Sequence, residues 1–264
     1  MRRGLLFGGA ASAALGLAAM GLAASTPALA QSDDTAQAVQ ELFDSAQSDA
    51  IREIVRQYIL DNPEVIMESV QLMRQRQEEA AQAAALAAMQ DNEGALFKDP
   101  NSPVGGNPDG DVTIVEFFDY RCGFCKRTHE TVKNFVEGDG NVRFVYKEWP
   151  ILGPDSVLAA RAALASREQE KYHEFHDLLM TEPNISEVTI RILAEQAGLD
   201  WDQLQADMES PFVTAHLEDT SQLAQTLGIN GTPAFVIGNQ LVPGAVDATT
   251  LETIVSDIRA QSEG

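Results

Sequence analysis

The chain is poor in several residues that would anchor familiar functions. Only two of its 264 residues are cysteine and four are histidine. A fold stapled by several disulfides is excluded, and so is a four-thiolate zinc module. Basic residues are scarce too, 18 against 40 acidic ones, for a formal charge of −22. Nucleic acids and anionic membrane surfaces are bound by lysine and arginine against phosphate, so we expect no nucleic-acid partner and read the charge as serving solubility. After residue 24 no stretch is long and apolar enough to span a bilayer. Residues 33–90 contain no glycine and a single proline.

What is present begins with a three-part amino terminus. Met1-Arg2-Arg3 is basic, residues 4–24 are uncharged and rich in Leu, Ala and Gly, and "TPALA" ends with small residues at 28 and 30. This is the layout of a signal peptide, expected over residues 1–30 with cleavage after Ala30. An uncleaved anchor is the alternative, and Pro27 with the small-residue site favours cleavage. The rest of a twin-arginine motif is missing. Removing Arg2 and Arg3, with no acid between residues 1 and 30, makes the mature charge −24. The mature chain is expected in an oxidising compartment, a bacterial periplasm.

Two regions follow. In residues 31–97 the apolar positions Leu42, Phe43, Ala46, Ala50, Ile51, Ile54, Val55, Tyr58 and Ile59 fall on one helical face. The helix should stop near "DNPEV", where Asn62 can cap a second helix, Pro63 suits its first turn and Glu64 complements its dipole. Val65, Ile66, Val70 and Met73 continue an apolar face. Helices of this size cannot bury such stripes alone. We expect residues 33–90 to self-associate, with packing on the rest of the chain as the alternative.

Residues 98–110 are dense in Pro, Gly, Asn and Asp and read as a linker. The period then changes. "VTIVEFF" (112–118) reads as a buried strand, 124–137 as a helix and "NVRFVYKEW" (141–149) as a second strand. A helical stretch from about 154 to 228, interrupted near "TEPNIS", "GLDWD" and "ESPF", precedes a hairpin of "PAFVIGN" and "QLVPG" and a last helix over 247–261. Residues 111–264 therefore predict an α/β sheet domain with a helical insertion.

The two cysteines, Cys122 and Cys125, lie just past the first strand, two residues apart. A zinc site would need a second pair of ligands. His173 and His176, three apart on a predicted helix, read as surface histidines, so neither a metal nor another cofactor is expected. A structural staple gains little from so short a loop. A redox pair remains, and its strand-then-helix setting favours it. Cys122 at a helix amino end would form the attacking thiolate, Cys125 one turn on would resolve the mixed disulfide, and Gly123 and Phe124 between them would tune the thiolate.

Strand, C-x-x-C, helix, strand and the later "GTPAFVIGN" resemble the thioredoxin superfamily, and the helical insertion is similar to its DsbA-like branch, over residues 111–262. The resemblance implies a thioredoxin fold with an inserted helical subdomain behind an amino-terminal helical stalk. It implies that Pro233 is cis beside the cysteines, with Thr232 before it in the peptide-binding position; an ordinary turn proline is the alternative. Glu116, six residues before Cys122, matches the acidic residue that exchanges a proton with the buried cysteine, unless it points to solvent. Lys147 in "VYKEWP" would pair with Glu116 or be solvated.

The stalk and "DPNSPVGGNPDGDVTIVEFFDYRCGFCK" are similar to ScsC-type proteins, a resemblance that implies a link to copper tolerance, a homo-oligomer with a trimer favoured, and disulfide isomerase activity. Gly first between the cysteines and Thr before the cis-proline resemble exported isomerases; strongly oxidising DsbA enzymes carry Pro-His there. Implied partners are misfolded or cysteine-containing exported proteins and a membrane thiol-disulfide redox partner. A dithiol oxidase would use the same residues in the opposite direction. Copper(I) sequestration by the thiolates is a third reading. Met67, Met73 and Met89 could add thioethers, although core packing is their expected role.

Overall fold

A computed structural model describes residues 43–262. The expected signal peptide, Leu42 and the first part of the stalk lie outside the described residues. The described residues divide into two compact units, the first ending at Met73 and the second beginning at Arg74.

In the first unit, α1 (Ser45–Asp61) starts at a reciprocal cap in which Asp44 accepts from the Gln47 amide and Gln47 accepts from that of Asp44. Asn62 closes this helix, its side-chain and backbone N–H both bonding the Tyr58 carbonyl at 2.9 Å. The side-chain amide is thus turned back onto α1, beside the ordinary backbone bond to the same carbonyl, rather than forward as the cap the sequence suggested. A second helix, α2, spans Glu64–Asp91. The stripe on α1 is exposed: Ile54 keeps 68% of its surface and Tyr58 56%. Met67 and Met73 are exposed as well, so the core role expected of the stalk methionines holds only for Met89.

The second unit is built on five strands in the order β1-β3-β2-β4-β5: β1 (Val104–Gly106), β2 (Val112–Phe118), β3 (Val142–Glu148), β4 (Ala234–Ile237) and β5 (Gln240–Pro243). β2 and β3 are parallel and joined by α4 (Gly123–Asp139); the other pairings are antiparallel. This is the α/β sheet that the residue pattern predicts. The short α3 (Glu93–Phe97) and β1 lie where the sequence read as helix end and linker. Gly106 lets β1 approach β3, since a Cβ there would lie 2.4 Å from the Val142 carbonyl oxygen and its φ is +64°.

Pleat parity assigns the two faces of the sheet. Ile114 and Phe144 face Val132 and Val136 of α4 and Leu251 and Val255 of α10 (Ala248–Ser262). Val115, Phe117 and Val145 face the other way, onto Leu223 and Ala224 of α9 (Pro211–Thr226), Met89 and Leu96. The remaining helices, α5 (Pro154–Ala165), α6 (Tyr172–Thr181), α7 (Glu187–Gln196) and α8 (Trp201–Met208), form with α9 a helical layer between β3 and β4. Its core joins Phe118, Tyr120 and both cysteines. Arg259 ties the end of α10 to Asp111 and Asp139 through four bonds of 2.8–2.9 Å.

Candidate active site

Six β-forming residues, interrupted only by Glu116, carry β2 to Phe118, and the chain then turns sharply at Asp119. Asp119 is buried, and its carboxylate accepts from the amides of Arg121, Ile151 and Leu152 and from the Ser156 hydroxyl, at 2.7–2.9 Å. These bonds fix the Cys122 loop against the 150–153 loop. Arg121 adds a bond to the Leu152 carbonyl at 2.8 Å. Asp119 was not read as a site residue; the only sequence signal is an acid placed between a buried strand and the cysteine pair.

Cys122 is the N-cap of α4, and its sulfur accepts from the Cys125 amide at 3.4 Å. No disulfide joins the two cysteines in this structure. The Cys125 thiol, donating to the Cys122 sulfur, outweighs burial and with the helix amides brings Cys122 down to about 5. Cys125 is fully buried, and that burial, followed by the Cys122 thiolate and Glu116, pushes it far up. One sulfur is therefore charged at neutral pH and the other is held as a thiol.

Thr232–Pro233 is a cis peptide, as the resemblance implies, and the Thr232 carbonyl accepts from the Cys122 thiol at 3.2 Å. Thr232, Pro233 and Phe124 line a surface cavity of about 640 Å³ that continues along Ile229, Leu241 and Pro243. Phe124 is 58% exposed, with the Arg127 guanidinium 4.3 Å from its ring centre. Gly123 leaves the first turn of α4 open, a Cβ there meeting only the Arg127 side chain at 3.4 Å.

Glu116 is buried on β2, on the α4 side of the sheet, opposite Tyr146 and Phe235. Its Oε1 has no hydrogen-bond partner among the described residues. Burial first, and then the Cys122 thiolate, raise it to about 8. The alternative of a solvent-facing Glu116 is overturned.

Lys147 is not its partner, and it is not solvated either. One residue out of phase with Glu116 across the β2–β3 pairing, it points to the opposite face, where its ammonium bonds Asp99 at 2.9 Å. Burial would raise Asp99, but the bonds from Lys147 and Ser102 hold it at about 2. His176, expected on the surface, is also buried, because α6 turns it inward against Phe118, Tyr120 and Tyr172.

Residues 113–256 match the DSBA-like thioredoxin domain, and residues 47–80 match the copper resistance protein ScsC N-terminal domain. A thioredoxin-like oxidoreductase from Silicibacter pomeroyi DSS-3 is 52% identical, covering 64% of this chain and 98% of that one, with a TM-score of 0.63. Proteus mirabilis ScsC in a transitional conformation is 28% identical over 83% of this chain and 100% of its own, with a TM-score of 0.62. Disulfide bond formation protein D of Bacillus subtilis is 26% identical over 174 residues, 60% of this chain and 78% of that protein. The chain spans 24% of the length of the first curated relatives it matches, Na(+)/H(+) antiporters NhaA. Among the described residues no helix is long and apolar enough to cross a membrane.

Proposed function

Because the chain belongs to the DSBA-like thioredoxin-domain family, we propose that it is a periplasmic thiol-disulfide oxidoreductase acting on exported proteins, in the isomerase or reductase direction. The observation that carries this reading is the asymmetry of the pair: Cys122 falls to about 5 while Cys125 is pushed up and shut away. A stabilised thiolate favours the dithiol state, which an isomerase needs at rest. It equally makes the closed disulfide a ready oxidant, so the isomerase direction is supported by the Gly between the cysteines, Thr232 before the cis-proline and the stalk.

Cys122 attacks a substrate disulfide, forming one new S–S bond and releasing a substrate thiolate. That thiolate can attack another bond in the substrate and finally the mixed disulfide, which returns Cys122 as thiolate with no net oxidation. Alternatively Cys125 attacks Cys122, the substrate leaves as a dithiol and the pair is left oxidised. The Cys125 proton must then go somewhere, and the buried Glu116, whose charge bears on Cys125, supports the reading that it is the acceptor. In the mixed disulfide Cys122 carries no charge, one of the two influences that raise Glu116, so the carboxylate becomes available when the proton has to move. The groove beside Thr232 and Pro233 receives the substrate backbone.

The exposed stripe of α1 supports a homo-oligomer, for which we favour a trimer, and several catalytic domains on one stalk raise the effective concentration at a single client. The likeness of residues 47–80 to a copper resistance domain, with Met67 and Met73 exposed, supports a second reading in which the reduced protein also binds copper(I). A membrane thiol-disulfide protein would reset the pair. The pattern of residues 1–30 and the likeness to a periplasmic thioredoxin-like protein from Salmonella enterica support the periplasmic placement.

The test is recovery of scrambled ribonuclease by residues 31–264 under a reducing glutathione buffer. Reactivation should be lost in Cys122→Ser. Oxidation of reduced ribonuclease without any unscrambling would leave the oxidase reading in place of this one.

A further inference from the structure

The geometry points to a divalent transition-metal site, with Zn2+ its simplest occupant, formed by His129, His176 and Asp177 between α4 and α6. One nitrogen from each histidine and one Asp177 oxygen lie within 4.8 Å of one another. The His129 Nε2 and Asp177 Oδ1 are already 3.2 Å apart, close to the spacing of about 3.3 Å that a tetrahedral zinc imposes on nitrogen and oxygen ligands.

His176 is the observation that asks for a ligand. It is 1% exposed, and its Nε2 has no hydrogen-bond partner among the described residues. A ring nitrogen buried in that state has lost its water without gaining a partner, which is unfavourable. Its other nitrogen, Nδ1, lies 2.9 Å from the Tyr120 hydroxyl, which in turn lies 3.4 Å from the Glu148 carboxylate. In the tautomer that carries its hydrogen on Nδ1, that nitrogen donates to Tyr120, Tyr120 donates to the buried Glu148, and Nε2 is left as the free donor atom, which is the outer support typical of metal-bound imidazoles. The ring is further fixed by stacking on Tyr172, at 5.6 Å and 21°.

Asp177 divides its two oxygens. Oδ2 pairs with Lys133, one helical turn beyond His129 on α4, while Oδ1 faces His129. A metal can therefore take Oδ1 without breaking the Lys133 pair. His129 and Asp177 also line a cavity of about 360 Å³, which supplies room for a water as fourth ligand. Two imidazoles and a carboxylate suit zinc and its neighbours; the set holds no thiolate, so it does not suit copper(I). The bound ion would clasp the helix that carries the cysteines to the helical layer, and its ligands are separate from Cys122 and Cys125.

Zinc chloride titrated calorimetrically into full-length protein with the disulfide closed, so that no thiolate competes, tests this. One Zn2+ per chain is expected, with affinity falling at least about tenfold in both His129→Gln and Asp177→Asn, each checked for an unchanged circular dichroism spectrum. His129 is partly exposed, so its replacement leaves the core intact. Absence of zinc uptake at micromolar concentration, or affinity unchanged in either variant, overturns the site.

Discussion

The Cys122 sulfur lies 3.2 Å from the carbonyl oxygen of Thr232, a residue 110 positions further along the chain. The contact sets the reactive sulfur against a residue that, with Pro233, lines the groove. It exists only while Cys122 is a thiol. On ionisation the sulfur loses the hydrogen it donates to Thr232 and keeps those it accepts from α4, so the side toward the groove is freed for the substrate that the proposed function places there.

Alkylation of reduced protein by iodoacetamide should follow the Cys122 thiolate, with a midpoint near pH 5. The same shift links redox state to stability. A folded value depressed below the unfolded one, about 8.5, adds stability to the dithiol form that is complete above that pH and is lost as pH falls toward 5. The melting temperature of the reduced protein, minus that of the oxidised protein, should therefore drop between pH 8.5 and pH 5. A difference independent of pH would mean that Cys122 ionises normally.

Glu116→Gln should slow the Cys125 step by about tenfold or more, since a positioned base typically contributes that much or greater. Trapping a mixed disulfide with glutathione and following its decay by mass spectrometry reads that step alone. Stability should respond in the opposite sense. Glu116 is raised to about 8, so its ionisation destabilises the fold as pH rises from the ordinary carboxylate range through 8. The glutamine variant should melt higher than wild type at pH 8.5 and about equal to it at pH 4. Equal decay rates in the two proteins would remove Glu116 from the mechanism.

Asp99→Asn should be more damaging than Lys147→Met. The asparagine leaves an ammonium that is 2% exposed without its counter-charge, which typically costs about 3–5 kcal/mol. The methionine instead replaces that ammonium with an apolar group of similar length and leaves Asp99 with Ser102 and the Asn101 amide. Urea denaturation of both variants compares them. The reverse order would mean that the pair is governed by the desolvation of Asp99.

Replacing Ile54 and Tyr58 together by Asp should lower the mass measured by light scattering to that of one chain, because it puts charge into the most exposed part of the α1 stripe. Isomerisation should fall with it, while simple oxidation of a dithiol peptide should persist. An unchanged mass would place the self-association surface elsewhere. A truncation aimed at the same question should begin near Arg74, because Met89 and Leu96 belong to the core beneath β2.

The parts of this fold that were legible are those fixed by local chemistry. "VTIVEFF" is a strand at the bounds its β-branched and aromatic residues predict, and the breaks at Glu182, Gly198 and Ser210 fall where Pro, Gly and capping residues accumulate. β1 was missed because three residues, two of them glycine, carry no alternation, and their strand character comes from pairing with β3. Lys147 was misplaced for a related reason. Its nearness to Glu116 in the sheet was correct, but parity sends it to the other face, and Asp99, 48 residues earlier, sits in a segment that reads as linker. The burial of His176 depends on which helix covers which face. His129 offered one usable signal, its place one turn after Cys125 on the same helix.

Complete burial of Cys125 has a kinetic meaning. Cys122 keeps 5% of its surface and Cys125 none, so on the proposed function a client and a redox partner would share a single point of entry for electrons. The two must alternate at that atom, each leaving before the other arrives. Turnover measured against both should give parallel double-reciprocal lines, and an excess of either should inhibit by occupying the place the other needs.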